Sequence, residues 1–172
     1  MRRILIEKEN IDPKSCSFGF PWKHDSVCYN FRMPEECMTA DSIGEIVNKD
    51  DIETLVIGCD LSDYLFIENM VNLKQLYIYS GANIYSLEFI SKLNRLSQLY
   101  IADSRIETLN SVIELIQERK RLFDSENDIH KRLSMMIEGI CINSDKKLDG
   151  KLLKEQDMYI SEIIINNSRI SG

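Results

Sequence analysis

Five stretches of the chain repeat one arrangement of apolar positions. Ile52-Glu-Thr-Leu55-Val-Ile57 is followed 21 residues later by Leu73-Lys-Gln-Leu76-Tyr-Ile78, and 23 residues after that by Leu96-Ser-Gln-Leu99-Tyr-Ile101. Ile137-Glu-Gly-Ile140-Cys-Ile142 and Ile160-Ser-Glu-Ile163-Ile-Ile165 are again 23 apart. A further apolar residue follows four of them, at Ile84, Ile106, Leu148 and Ile170. Within each hexad the second and third apolar residues are two apart, so a short strand turns both to one side. One strand cannot bury that side alone. Equivalent strands stacked about 4.8 Å apart make a parallel sheet, and each step to the next strand needs a right-handed crossover of a dozen or more residues. Amphipathic pieces at 62–71 and 86–94 supply those crossovers, with Ser62 and Ser86 as N-caps. The pattern predicts an α/β fold: a short, right-handed solenoid with a parallel sheet, stabilised by stacking between neighbouring coils.

Residues 1–51 do not keep the pattern and are expected to form an N-terminal cap with room for one degenerate repeat. Ile4-Leu5-Ile6 suits a strand, and Val27-Cys-Tyr29-Asn-Phe31 alternates with period two. Ser42-x-x-Glu45 is a capping-box spacing ahead of a short helix carrying Ile43, Ile46 and Val47. Repeats occupy 52–172, but the step from Leu96 to Ile137 is 41 residues. The excess predicts a helical insertion at about 110–136. Ser111-x-x-Glu114 caps its first helix, with Val112, Ile113, Leu115, Ile116, Leu122 and Phe123. Ser125-x-x-Asp128 opens a second, with Ile129, Leu133 and Met136. The triplet Arg119-Lys-Arg121, among Glu114, Glu118 and Asp124, is expected to be a solvated helix face. After Ile170 no capping helix follows, so the last parallel strand is expected to leave an uncovered edge open to self-association.

The hexads resemble the leucine-rich repeat family over about 52–109 and 137–172. Leu61-Ser-Asp-Tyr-Leu-Phe-Ile-Glu-Asn-Met-Val-Asn-Leu-Lys-Gln-Leu-Tyr-Ile looks most like the 21–23-residue repeats of bacterial internalin-like proteins. The family's asparagine position holds Asp60, Gly81, Ser104, Asp145 and Ser168 instead, which implies a weak backbone-capping ladder and irregular coils. Small repeat proteins of this kind occur in bacteria as stand-alone binding modules, including inhibitors that neutralise a toxin. The resemblance therefore implies a non-enzymatic protein-binding role, an inhibitor or immunity-type protein among the forms it takes.

The chain has 172 residues, 44% of them hydrophobic and 28% charged, enough for one buried core. Three Pro and seven Gly exclude collagen-like or linker-like material. A net charge of −7 disfavours nucleic acid and favours a basic protein partner. No apolar run reaches signal-peptide or membrane-spanning length, and five Cys is an odd number, which suits reduced thiols in the cytoplasm and no membrane contact. Phosphate loops, GxSxG, HExxH and CxxC are missing, and the two histidines, His24 and His130, lie far apart, so no enzyme is expected. Cys16, His24, Cys28 and Cys37 have zinc-ligand chemistry, but only His24-x3-Cys28 has knuckle-like spacing. They are taken as separate thiols, with no metal or cofactor.

What remains is the sheet face away from the core, where Val56, Tyr77, Tyr100, Cys141 and Ile164 fall in one row. Exposed tyrosine on a rigid sheet suits partner binding. Tyr77 and Tyr100 are the expected anchors, flanked by Gln75, Gln98, Tyr79 and Val56. Tyrosine also suits cross-strand packing, which needs no partner.

Overall fold

The computed structural model describes residues 2–6, 17–18, 29–30, 37–40, 43–47, 49–58, 60–151, 153 and 160–171. Its strands are β1 (Arg2–Ile6), β2 (Ser17–Phe18), β3 (Tyr29–Asn30), β4 (Cys37–Ala40), β5 (Ile52–Ile57), β6 (Gln75–Ile78), β7 (Gln98–Ser104), β8 (Gly139–Ser144), β9 (Ile163–Ile165) and β10 (Ser168–Ser171). Two α-helices follow β7, namely α1 (Asn110–Ser125) and α2 (Ile129–Ser134). Eight strands form one open sheet in the order β10-β9-β8-β7-β6-β5-β1-β4. All neighbours in it are parallel except β9 and β10, and β2 and β3 make a separate antiparallel pair. The fold is mixed α/β with a mostly parallel sheet.

The expected register holds from β5 to β9. Leu55, Leu76, Leu99, Ile140 and Ile163 are paired in sequence across the sheet, and Ile57, Ile78, Ile101, Ile142 and Ile165 form the next row. Both rows are buried in one core with Ile52, Leu73, Leu96, Ile137 and Ile160. The return segments are tighter than α-helix. Leu65–Asn69 and Glu88–Ile90 are 3-10 turns that bury Phe66, Ile67, Phe89 and Ile90. A 3-10 turn rises about 2.0 Å per residue against 1.5 Å in an α-helix, so it suits the few residues left for the return path. Ser62 does not cap its turn. The N-cap is Tyr64, with no side-chain cap bond, and Asp63 Oδ1 accepts locally from Leu65 N–H at 2.8 Å. Ser86 Oγ accepts only locally, from Glu88 N–H at 3.2 Å.

Side-chain bonds link the segments that follow neighbouring strands, where a weak ladder was expected. Asp60 Oδ1 accepts from Ser80 Oγ–H at 2.7 Å and from Ala82 N–H at 3.2 Å. Asn83 Nδ2 donates to Leu61 O at 3.1 Å. Ser104 Oγ donates to Asn143 O at 2.7 Å, and Ser144 Oγ to Ile106 O at 2.8 Å. Asn166 Nδ2 donates to Lys146 O at 2.8 Å, while its Oδ1 accepts from Ser144 N–H at 2.8 Å. Short polar side chains at or just beyond the strand ends do this work, in part displaced by one or two residues from the positions compared above. Gly81 stays small for another reason: a Cβ there would lie 3.0 Å from Ala102 O.

Expectations change at the N-terminal side and in the insertion. β1 and β4, both from residues 1–51, continue the sheet beyond β5 in that order. Ile43–Glu45 is a single 3-10 turn; Ile46 is buried, but Val47 is 84% exposed because the chain leaves the turn after Ile46. Of the segment around Val27–Phe31, only Tyr29–Asn30 is described, paired with Ser17–Phe18; Val27, Cys28 and Phe31 lie outside the described residues. In the insertion, α1 buries Val112, Leu115 and Ile116, and starts at Asn110, whose N–H donates to Thr108 Oγ1 at 3.2 Å. Ser111 is thus inside the helix. Asp128, not Ser125, caps α2, and no residue of α2 is buried.

Arg119 corrects the reading of its triplet. It is 1% exposed, with guanidinium nitrogens 2.9 Å from Met135 O, 3.0 Å from Leu96 O and 3.5 Å from Leu93 O. Helical spacing turns Arg119 with Leu115 and Ile116 toward the coil that carries Leu93 and Leu96. Arg121 does face solvent, bonded to Glu118. The expected bare edge is corrected too. Asn166 and Asn167, at φ 48° and 60°, form a two-residue reversal with both residues left-handed, a hairpin geometry that asparagine tolerates. β10 then runs back antiparallel along β9 and covers its edge.

Candidate protein-binding surface

The face opposite the core carries the row foreseen from the repeat. Val56, Tyr77, Tyr100, Cys141 and Ile164 are consecutive register partners. Their exposure differs from the expectation. Val56 is 2% and Tyr77 6% exposed, Cys141 and Ile164 are also buried, and Tyr100 is half-buried. Each interior member has a register partner on both sides about 4.8 Å away. Tyr77 and Val56 are therefore not free contact residues.

A second row is polar and continuous. Thr54, Gln75 and Gln98 are register partners, with Gly139 next in line. Thr54 Oγ–H donates to Gln75 Oε1 at 2.9 Å, and Gln75 Nε2 donates to Gln98 Oε1 at 3.1 Å. Tyr77 OH donates to the same Gln98 Oε1. Gly139 has no side chain to continue the row, and Glu138, the residue before it, reaches in to accept from Gln98 Nε2. Sequence reasoning missed Glu138; the glycine at a position held by Thr, Gln or Glu in the other repeats was the available signal.

One step further along, the Tyr79 and Tyr100 rings meet with centroids 5.5 Å apart and planes inclined by 39°. Tyr79 is two residues beyond Tyr77, the partner of Tyr100, so the two rings are diagonal neighbours on one face, within reach of aromatic side chains. Both are half-buried, as are Gln75 and Gln98. The structure thus brings Gln75, Gln98, Tyr79 and Tyr100 together as half-buried neighbours, beside the buried Val56 and Tyr77.

Charge on this face is negative in part. Glu162 is buried and pairs with Arg169 at 3.2 Å. Burial, with Glu162 adding to it, pushes the Cys141 thiol up to about 12. A thiol held neutral is a poor nucleophile. Among the described residues no group of three or more His, Cys, Asp and Glu is placed to hold a metal ion. Cys16, His24 and Cys28 lie outside the described residues, and so does the side chain of Cys37. Among the described residues no helix is long and apolar enough to cross a membrane. Compared with known proteins, the chain matches no family model, no curated protein and no solved structure.

Proposed function

We propose that this protein is a cytoplasmic, non-enzymatic interaction module, a right-handed solenoid of leucine-rich-repeat type that holds a partner protein on the face of its sheet opposite the core. The observation that carries the reading is the half-buried Tyr79–Tyr100 pair on a rigid polar row of Thr54, Gln75 and Gln98. Offsets of 21 and 23 residues between register-matched strands support the repeat assignment. Tyrosines whose rings are already fixed lose little conformational freedom on binding, and their neighbours present amide donors and acceptors around them. Tyr79 and Tyr100 are the anchors, Gln75 and Gln98 the polar flank; Tyr77 and Val56 lie beside Tyr100 in the same row and hold it in place. Glu138 and the net charge of −7 favour a basic partner surface. Inhibition of that partner, as in an immunity-type protein, is one consequence of covering its surface.

The test is capture from host lysate by the wild type and by Tyr79→Ala/Tyr100→Ala, followed by affinity measurement with the purified captured protein. Binding lost in the double variant, with circular dichroism unchanged, supports the reading. Equal affinity for both proteins refutes it. A second reading, self-association through the C-terminal edge, draws on β10 as the outermost strand, with Ser168 and Arg169 exposed. A sedimentation coefficient that rises with concentration would favour it.

A further inference from the structure

The sheet face opposite the core is more deeply buried than a bare face would be. Beside Val56 and Tyr77 it buries Thr54, Cys141, Glu162 and Ile164, each 6% exposed or less. These residues run from β5 to β9, four strand steps or about 19 Å. Side chains stand off a sheet, so register partners shield their flanks and leave their tips uncovered. Tyr77 stands taller than Val56 beside it, yet nearly all of its surface is buried. The turns and α1 do not roof this face: they bury their apolar residues in the core on the other side, and α2 buries none.

Strand order says which part of the chain crosses this face. From β5 to β9 each strand lies one step further toward β10, and the return segments pass on the core side. The step from β1 to β4 also joins parallel neighbours, but it advances the opposite way, away from β5. Crossovers between parallel strands of one sheet are right-handed in about 98% of cases. For strands pointing the same way, reversing the advance while keeping the hand moves the crossover to the other face. The step from β4 to β5 advances with the main series, and it keeps to the core side as the same rule requires: Ile46 lies in the core and Ile43 packs against it. The connection from β1 to β4 therefore belongs on the face opposite the core.

Its length and composition suit that place. Ile6 ends β1 and Cys37 begins β4, which leaves 30 residues between them, where a crossover needs about a dozen. The connection carries β2 and β3, an antiparallel pair separate from the main sheet. Ten residues lie between Ile6 and Ser17. Extended, ten residues span about 33 Å, more than the roughly 24 Å from β1 to β9. The sequence of the connection holds the only Trp of the chain, Trp22, and three of its six Phe, Phe18, Phe20 and Phe31. Aromatic residues carry much of the apolar area that a packed layer needs.

We infer that the connection between β1 and β4, with its β2–β3 pair, packs as a second layer on the sheet face opposite the core, against the row of Val56, Tyr77, Cys141 and Ile164. That row faces the chain itself rather than a partner. The partner reading concerns other residues, the half-buried Gln75, Gln98, Tyr79 and Tyr100, and this layer does not rest on it.

The test uses the full chain with photoreactive benzoylphenylalanine installed at position 77. A control carries it at Tyr85, 52% exposed on a return segment. Irradiation of dilute protein and peptide mapping read the contacts. Position 77 should cross-link within one chain to peptides from residues 7–36, and position 85 should not. Cross-links from position 77 confined to the neighbouring strands overturn the inference, as do equal yields to 7–36 from both positions. A cross-linked dimer from position 77 overturns it too, by giving the row to a second copy. Should the label at 77 prevent folding, as seen by circular dichroism, the same label at the half-buried Tyr100 makes the comparison with the same expected outcome.

Discussion

The Arg119 guanidinium is buried against three carbonyls and, among the described residues, no carboxylate. Burial lowers its pKa to about 10, so it remains charged at neutral pH. Removing it would leave those carbonyls without their donor and a cavity the length of the side chain. Arg119→Ala should therefore cost about 3 kcal/mol, read as a lower urea midpoint with an unchanged slope. Cys141 is the opposite case, a group kept uncharged. Its folded pKa of about 12 lies above the ordinary 9.0, so the unfolded chain releases this proton first. The contribution is complete below about 9 and is lost as pH rises toward about 12. Cys141→Ala should flatten the fall in stability over that range. In the native protein at neutral pH, iodoacetamide should spare Cys141, as seen by peptide mapping, and modify it once urea unfolds the sheet.

At the level of elements, what was legible in the chain depended on how locally each signal was encoded. Strands β5 to β9 and their register were readable because Leu76 and Ile78, or Leu99 and Ile101, carry a period of two and recur at near-constant spacing. Arg119 was not readable: its acceptors are backbone carbonyls from a coil and from the end of α2, which leave no mark on residue identity. Tyr77 was placed correctly in its row but wrongly as exposed, because exposure depends on the side chains beside it across strands far apart in sequence. The hairpin at Asn166-Asn167 was encoded locally, by two residues tolerant of positive φ, yet the continuing apolar pattern through Ile170 suggested only another coil. Asn166 also bonds Ser144 N–H and Lys146 O. Asn166→Ala should cost about 2 kcal/mol through those bonds and the left-handed backbone, and should speed amide exchange in β8 and β9 ahead of β6.

Among the described residues the sheet is one continuous stack, in which the two apolar rows of the interior strands β6 to β8 have register partners on each side. Leu76, between Leu55 and Leu99, is fully buried. Leu76→Ala should destabilise the protein by about 3 kcal/mol in a urea titration. The place of β1 between β4 and β5 has a different consequence, which concerns synthesis rather than strength. Arg2–Ile6 leaves the ribosome ahead of the other described strands of the sheet, yet this strand acquires its second neighbour only after Ile57 has emerged, whereas β6 to β7 is a short local closure. During translation the earliest piece of the sheet must wait for the later ones, and it finishes as an internal slat held from both sides. Removing residues 1–6 would therefore not trim a border; it would open a gap of about two strand spacings, near 9.6 Å, between β4 and β5.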